Sequence, residues 1–344
     1  LLPLDFEPSA STMVGWTPLL PVPTLSQVLG GANVWLKCDG FSHPSLSFKD
    51  RVVAVAINKA RELGIDTVAC PSTGNLANAV AAHAAAAGMK SVVLVPADIE
   101  VGKLAGTAIY HATVIRINGT YDQINEVIAL AAEGFGWGVV NGNLRPYYAE
   151  GSKTVAYEIA EQLDWSTPDW VVAPMAGGSL INRLRTGFED LERLGWISGG
   201  PRLAGAQAKG CAPIVRAFEN STTTIAPMIP RTAARSIAIG NPVDGRWAVQ
   251  ALRESGGTAA AVSDDDMRDS IALLAAATGV FTETAGGVTL AAARKISERG
   301  LIGPDDVVVL CLTGNGMKTV DAVDLELDRL PLIEPDLKQL EHAL

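Results

Sequence analysis

Apolar residues recur along this chain in two alternating patterns, short continuous runs and longer amphipathic stretches. The short runs predict buried strands, and the longer stretches, with apolar residues every three or four positions, predict helices. Strands are predicted at 34–37, 67–70, 91–95, 113–117, 138–141, 170–174, 203–207 and 306–312. Helices are predicted at 48–63, 76–88, 122–133, 151–163, 180–194, 212–218, 246–254, 264–277 and 286–299. This alternation predicts an α/β protein with parallel-rich twisted sheets covered by helices.

Length and composition narrow the class of protein. The chain has 344 residues, which is longer than a single core usually grows, so two domains are expected. Its hydrophobic share of 48% and charged share of 19% are typical of a globular protein with a large core. A formal net charge of −10 argues against nucleic acid or an anionic membrane as a partner. An anionic ligand must therefore be bound by local groups.

Cysteine spacing and hydropathy argue against further classes of protein, namely metal-binding, disulfide-rich and membrane-spanning ones. The cysteines lie far apart and form no CxxC or Cys/His pattern, so we expect neither a metal site nor a disulfide framework; they are Cys38, Cys70, Cys211 and Cys311. The Ala-rich stretch at 77–88 is interrupted by Asn78 and His83, and no apolar run has the length of a membrane span. We expect His83 to be a packed or hydrogen-bonded core residue. No basic segment precedes an apolar one at the N-terminus, so the cytoplasm is the expected location.

Lys49 stands in the first turn of a predicted helix, which is an unusual place for a lysine. Ser47 is the expected N-cap, and Asp50 three residues on resembles the second half of a capping box. The unpaired N–H groups there carry partial positive charge and disfavour an ammonium ion. A neutral lysine amine can form an imine with a carbonyl compound such as pyridoxal phosphate. The helix by itself favours an ordinary exposed surface lysine, since most lysines are exposed.

Two loops between a strand and a helix have the composition of anion-binding sites. Residues 71–75 read Pro-Ser-Thr-Gly-Asn, and residues 175–179 read Met-Ala-Gly-Gly-Ser. Backbone N–H groups at such a turn, with the positive end of the helix, can bind phosphate, although an ordinary cap or tight turn has the same composition. Asn75, Gly177 and Thr313 all follow predicted parallel strands, where ligands bind in α/β proteins. We therefore expect them at one site.

Motifs in a fixed order give the chain a family resemblance that covers residues 17–323. They are SFKDR at 47–51, STGN at 72–75, AGGSL at 176–180, IGNP at 239–242 and LTGNGMKT at 312–319. In sequence and spacing the chain resembles the fold-type II pyridoxal-phosphate enzymes, and among them the threonine synthase family. The resemblance implies a smaller α/β domain at 50–150, a larger cofactor-binding domain formed by 1–49 together with 151–344, an active site between them, and a homodimer.

The resemblance also implies roles for individual residues. Lys49 forms the imine with pyridoxal phosphate, and Phe48 beside it also belongs to the cofactor site. Asn75 binds the ring hydroxyl, and the Thr313 hydroxyl faces the pyridine nitrogen. A neutral hydroxyl there leaves the nitrogen largely unprotonated. The cofactor phosphate is bound by Ala176, Gly177, Gly178, Ser179 and Leu180, and the substrate carboxylate by Ser72 and Thr73.

Two segments depart from the family pattern. His43, Pro44, Ser45 and Leu46 stand where the family often has Asn-Pro-Thr-Gly. Tyr148 aligns with a family arginine that binds the substrate phosphate. Arg145, three residues earlier, is the candidate replacement, and Lys153 is the reserve.

The family reaction is the leading hypothesis for function: O-phospho-L-homoserine and water give L-threonine and phosphate. A pyridoxal-phosphate-dependent replacement or elimination on another amino acid, such as phosphoserine, threonine or serine, is the first alternative. A non-catalytic binding module with the same fold is the second, although it would not need Lys49, Asn75 and Thr313 together.

Overall fold

Two parallel-rich sheets with helices on their faces form the fold in the computed structural model, which describes residues 1–5, 13–72, 74–97, 101–119, 121–323 and 330–343. The strands are β1 (Leu19–Pro21), β2 (Asn33–Cys38), β3 (Thr67–Pro71), β4 (Lys90–Pro96), β5 (Thr113–Ile117), β6 (Gly138–Val139), β7 (Trp170–Pro174), β8 (Arg202–Ala208), β9 (Thr258–Val262) and β10 (Val307–Leu312). The helices are α1 (Lys49–Glu62), α2 (Asn75–Ala86), α3 (Val101–Ala108), α4 (Tyr121–Phe135), α5 (Arg145–Glu150), α6 (Thr154–Gln162), α7 (Ser179–Arg193), α8 (Pro213–Glu219), α9 (Gly245–Glu254), α10 (Asp264–Thr278), α11 (Thr284–Glu298) and α12 (Leu337–Ala343). The predicted α/β class with parallel-rich sheets is confirmed.

The strand order places three candidate loops at the carboxyl ends of parallel strands. The larger sheet has the order β1-β2-β10-β7-β8-β9, and the smaller one has the order β5-β4-β3-β6. Every described pair is parallel except β1 with β2. Parallel neighbours end at the same edge, so the loops after β10 and β7 are adjacent. The loop after β3 lies at the corresponding edge of the smaller sheet.

A continuous apolar core joins the two sheets. It extends from Val68 in β3 through Val52 in α1 and Ile159 in α6 to Val171 in β7, all with 0% exposed surface. Every residue of β7 is buried, because helices cover both faces of this central strand. Among the described residues, no helix has both the length and the apolar composition needed to cross a membrane.

The start of α1 differs from the prediction. Phe48 precedes Lys49, the first helical residue, and the Ser47 hydroxyl is buried without a hydrogen-bond partner among the described residues. The predicted N-cap at Ser47 is therefore wrong. Half of the capping box is present, because the Asp50 carboxylate accepts hydrogen bonds from the backbone N–H groups of Ser45 and Ser47, at 3.1 and 3.3 Å. His83 Nε2 lies 3.2 Å from the same carboxylate, which confirms that His83 is a hydrogen-bonded core residue.

A buried ionic cluster fixes the first turns of α1. Arg51, only 2% exposed, donates from Nε to Asp39 (2.9 Å) and from Nη2 to Glu158 (2.7 Å). Lys37 Nζ, which is also buried, donates to Glu158 at 2.6 Å. Burial acts to raise the pKa of Glu158, but the hydrogen bonds and charges of Arg51 and Lys37 outweigh it and lower this pKa to about 2. The cluster therefore holds ionised groups within the core, where each depends on its partners.

Candidate active site

Lys49 ends in an aromatic slot. Its Nζ lies 2.8 Å from the hydroxyl oxygen of Tyr148 in α5. The same nitrogen lies 5.3 Å from the centre of the Phe48 ring and 5.5 Å from that of the Tyr148 ring. Phe48 and Tyr148 are buried and Lys49 is half-buried. The amine is therefore shielded on the ring sides and remains accessible in part.

A buried carboxyl group joins two of the predicted site residues. Asn75, at the start of α2, donates from Nδ2 to Glu283 Oε2 at 2.8 Å, and the Thr313 hydroxyl donates to Glu283 Oε1 at 3.1 Å. Glu283 immediately precedes α11 and is 2% exposed. Burial raises the pKa of Glu283, and hydrogen bonds from Asn75 and Thr313 only partly offset this effect. The residues after β3 and β10 thus meet, as the strand-edge argument predicts.

Lys318 is a second half-buried cation at this site. It follows β10 in the LTGNGMKT motif, and its Nζ donates to Asn78 Oδ1 in α2 at 3.2 Å. Burial lowers the pKa of Lys318, while the negative charges of Glu283 and Asp50 act to raise it. Sequence reasoning did not select Lys318 or Glu283. Lys318 had a usable signal, since it lies within a quoted motif.

The turn after β7 has the geometry of a phosphate site. Gly178 has φ +93°, and a Cβ atom there would lie 2.9 Å from the carbonyl oxygen of Asp244, so only glycine fits. A Cβ atom on Gly177 would meet nothing nearer than Ile239 Cδ1 at 3.9 Å. The 15-residue helix α7 begins directly afterwards at Ser179. The turn therefore leaves open space in front of N–H groups at a helix N-terminus.

The remaining residues of this turn have different surroundings. Ala176 is half-buried, whereas the Leu180 side chain is 8% exposed and packs in the core. Leu180 therefore offers a ligand its backbone N–H group only. On the substrate side, Ser72 Oγ accepts a hydrogen bond from the Gly74 N–H group at 3.3 Å. Thr73, its predicted partner for the substrate carboxylate, lies outside the described residues.

The two predicted phosphate cations are both paired with carboxylates. Arg145 Nη2 lies 2.6 Å from Asp244 Oδ2, and 31% of the Arg145 side chain is exposed. The Asp244 N–H group donates to the Gly177 carbonyl at 3.0 Å, so Arg145 stands beside the phosphate turn. Lys153 Nζ lies 2.8 Å from both Glu150 and Asp190 and is only 12% exposed. Arg145 is thus the more accessible of the two.

These groups fit pyridoxal phosphate. The glycine turn offers N–H groups and space for its phosphate, and Lys49 offers a half-buried amine for its aldehyde. Asn75 and Thr313 offer polar groups for its ring hydroxyl and ring nitrogen. Each role remains a prediction for the individual residue.

Comparison with known proteins agrees with this chemistry. A family model described as "Pyridoxal-phosphate dependent enzyme" matches residues 10–314. The threonine synthase of Methanocaldococcus jannaschii is 37% identical over 99% of this chain and 84% of its own length. The threonine synthase of Halalkalibacterium halodurans is 36% identical over 99% of this chain and 94% of its own length. The chain belongs to the threonine synthase family.

Membership of the threonine synthase family confirms the resemblance predicted from the motifs. The protein is accordingly an enzyme that depends on pyridoxal phosphate. Solved structures with the same fold include maize serine racemase, with a TM-score of 0.74 and 20% identity over 91% of both chains. Another is the processed form of threonine deaminase isoform 2 from Solanum lycopersicum, with a TM-score of 0.75 and 20% identity over 96% of this chain and 83% of that one.

Proposed function

We propose that this threonine synthase family member converts O-phospho-L-homoserine and water to L-threonine and phosphate, with pyridoxal phosphate bonded to Lys49. The observation that carries the proposal is the convergence of Asn75 and Thr313 on buried Glu283. Lys49 also lies close enough to Glu283 for its charge to lower the pKa of that carboxyl, although burial has the larger, opposite effect. Polar groups for a cofactor ring and an amine for its aldehyde therefore occupy one site.

Bound pyridoxal phosphate supplies an electron sink for negative charge at the substrate carbons. The Lys49 amine would move protons at Cα and Cβ of the substrate, while phosphate leaves from Cγ and water adds at Cβ. Its half-buried position limits competition from bulk water. One amine thus serves both as the attachment point and as the acid and base.

Glu283 determines which way the Thr313 hydroxyl can donate. A threonine hydroxyl has one proton, so it cannot donate to Glu283 and to a ring nitrogen at once. Burial raises the pKa of Glu283 and so favours its neutral form, against the hydrogen bonds from Asn75 and Thr313. Protonated Glu283 can donate to the Thr313 oxygen and leave the Thr313 proton for the nitrogen. We propose this pair as the support of the cofactor ring.

Thr313→Val is expected to lower turnover about tenfold while pyridoxal phosphate stays bound, because one hydrogen bond is lost and the phosphate turn is intact. Steady-state kinetics and titration of the apoenzyme with cofactor measure the two effects. Thr319→Val, which changes a buried hydroxyl without a hydrogen-bond partner among the described residues, is the matched control. Undiminished turnover in Thr313→Val would remove Thr313 from the proposed ring support.

Arg145 is the proposed cation for the substrate phosphate. Its exposed fraction allows it to exchange Asp244 for a phosphate, whereas Lys153 is enclosed by two carboxylates. Arg145→Ala is expected to raise KM for O-phospho-L-homoserine by about one to two powers of ten, as expected for a charge-assisted contact. The cofactor dissociation constant should not change. A parallel rise in both constants would assign Arg145 to the cofactor turn through Asp244.

Lys153→Ala is the matched comparison for Arg145→Ala, since it removes a cation from the next helical segment. We expect its KM to remain near the wild-type value. If both variants keep wild-type kinetics, the substrate phosphate is bound elsewhere.

Release of inorganic phosphate tests the proposed reaction directly. The purified protein is mixed with O-phospho-L-homoserine, phosphoserine or threonine, and phosphate, threonine and keto acid products are quantified. Phosphate and threonine in equal amounts from O-phospho-L-homoserine support the proposal. Turnover of phosphoserine or threonine alone would replace it with the alternative replacement or elimination reaction.

We also propose a division into a domain at 50–150 and a larger one formed by 1–49 with 151–344. The separation of the two sheets supports this division, since the smaller sheet lies within 67–139 and the larger one draws on 19–38 and 170–312. A homodimer is proposed from the family resemblance, and a cytoplasmic location is proposed as the default expectation. Sedimentation equilibrium and cell fractionation test these two proposals.

A further inference from the structure

Tyr148 is held firmly against the helix that carries Lys49. Gly151, three residues after Tyr148, faces the backbone of α1, and a Cβ atom there would lie 2.6 Å from the Arg51 carbonyl oxygen and 2.7 Å from Val52 Cα. Such contacts are shorter than van der Waals packing allows, so glycine is required for α1 and the end of α5 to approach this closely. The close approach fixes the Tyr148 hydroxyl beside Lys49.

The contact between Tyr148 and Lys49 is enclosed. The hydroxyl oxygen lies 2.8 Å from Lys49 Nζ, and the Tyr148 and Phe48 rings flank the nitrogen. Tyr148 is 6% exposed and Phe48 is 8% exposed. Water therefore has little access to this side of the amine, and the Tyr148 oxygen replaces it as a hydrogen-bond partner.

A tyrosine can do something at this position that the aligned arginine cannot. A lysine ammonium and an arginine guanidinium both carry hydrogen-bond donors only, so neither can accept from the other, and their charges repel. A phenol oxygen accepts from the ammonium, and the phenol O–H group donates to the neutral amine. Tyr148 therefore has a matching hydrogen bond for Lys49 in either charge state.

We propose that Tyr148 is a positioning residue for Lys49, which keeps Nζ directed into the site both when it is charged and when it is neutral. The inference rests on the proposed bonding of Lys49 to the cofactor and does not depend on which amino acid is the substrate. Under this inference, Tyr148, which departs from the family pattern, positions Lys49. The substrate phosphate is then bound by a cation at another position.

Covalent capture of the cofactor by the apoenzyme tests this role without any substrate. Apoenzyme is mixed with pyridoxal phosphate, samples are reduced with borohydride at timed intervals, and the labelled peptide containing Lys49 is quantified. Tyr148→Phe keeps the ring and removes only the hydroxyl, and we expect capture to be about tenfold slower. Affinity for pyridoxine phosphate, which has no aldehyde, should remain at the wild-type value because the phosphate turn is unchanged.

Two further variants sharpen the test. Tyr147 is the neighbouring residue in the same helix, and its ring lies near Lys59 and not Lys49. Tyr147→Phe removes its hydroxyl and should therefore capture cofactor at the wild-type rate. Tyr148→Arg should be slower than Tyr148→Phe, because it adds a second cation that cannot accept from Lys49. Wild-type capture by Tyr148→Phe overturns the inference, as does an equal loss of affinity for pyridoxine phosphate.

The outcomes separate this inference from the proposed function. Normal capture by Tyr148→Phe, together with phosphate release from O-phospho-L-homoserine by the wild type, overturns the inference alone. Slow capture by Tyr148→Phe in a protein that releases no phosphate supports the inference and overturns the proposed reaction. Absence of label at Lys49 in the wild type overturns both.

Discussion

Lys49→Ala is expected to lower turnover of O-phospho-L-homoserine by about 10³-fold or more, because it removes both the cofactor-bonding amine and the group that moves protons. Pyridoxal phosphate should still bind without a covalent bond through the turn at Gly177 and Gly178. Borohydride reduction followed by peptide mapping provides the measurement. The wild type should carry the cofactor on the peptide containing Lys49, and the variant should carry none.

Lys59→Ala is the control for Lys49→Ala, since Lys59 lies in the same helix and pairs with Asp5 and Glu62 at 3.1 and 2.8 Å. This variant should keep wild-type labelling and turnover. Wild-type cofactor found on Lys37 or Lys153 would contradict the assignment of Lys49. We do not expect label on Lys37, because its buried amine already donates a hydrogen bond to Glu158 at 2.6 Å.

Glu158→Leu is expected to lower the free energy of unfolding by about 3–5 kcal/mol, because it leaves Arg51 and Lys37 buried with too few partners. Of the two carboxylates described in this cluster, only Asp39 would then remain to act on both cations. Urea titration followed by circular dichroism measures the loss. Glu161→Leu changes an exposed carboxylate in the same helix and should leave stability nearly unchanged.

The same variant has a defined pH signature. The pKa of Glu158 is lowered from 4.5 to about 2 in the folded protein, so its ionisation stabilises the fold at pH values above 4.5. This contribution is lost as the pH falls from 4.5 through about 2. Glu158→Leu should therefore lose less stability than the wild type across that interval. Parallel pH profiles for the two proteins would show that Glu158 does not carry this dependence.

Two strands were predicted with the bounds that the structure shows, the buried β7 and the more exposed β5. The run at 170–174 is continuously apolar, and β7 has the same bounds, because helices cover both sides of it. Helix α3 was not predicted, since Gly102 and Gly106 weaken its pattern. Gly106 has a tertiary reason, because a Cβ atom there would lie 3.0 Å from Asn78 Nδ2 in α2. Strand β9 was missed because its alanines are poor strand formers and only its pairing with β8 makes it a strand.

The parts of the site that lie at strand ends could be predicted from the sequence. The contacts between residues far apart in the sequence could not. Asn75 and Thr313 follow parallel strands. The rule that ligands bind at the carboxyl ends of such strands correctly predicted that these two residues meet. Glu283 lies 208 residues from Asn75, and an acidic residue before a helix is common, so no local pattern marks it. The contact of Tyr148 with Lys49 spans 99 residues and required the packing of α5 on α1. Alignment with the family marked Tyr148 as unusual but gave it no partner.

The start of α1 is fastened to the larger sheet. The Phe48 N–H group donates to the Thr313 carbonyl at 2.8 Å, Ser47 forms a bridge with Gly314, and Arg51 is bonded to Asp39 after β2. Lys49 is therefore anchored directly to the residues that follow β10, whereas Asn75 begins the helix that follows β3 of the smaller sheet. If the two proposed domains move relative to each other, the hydrogen bond between Asn75 and Glu283 would have to break, while Lys49 would keep its place beside β10.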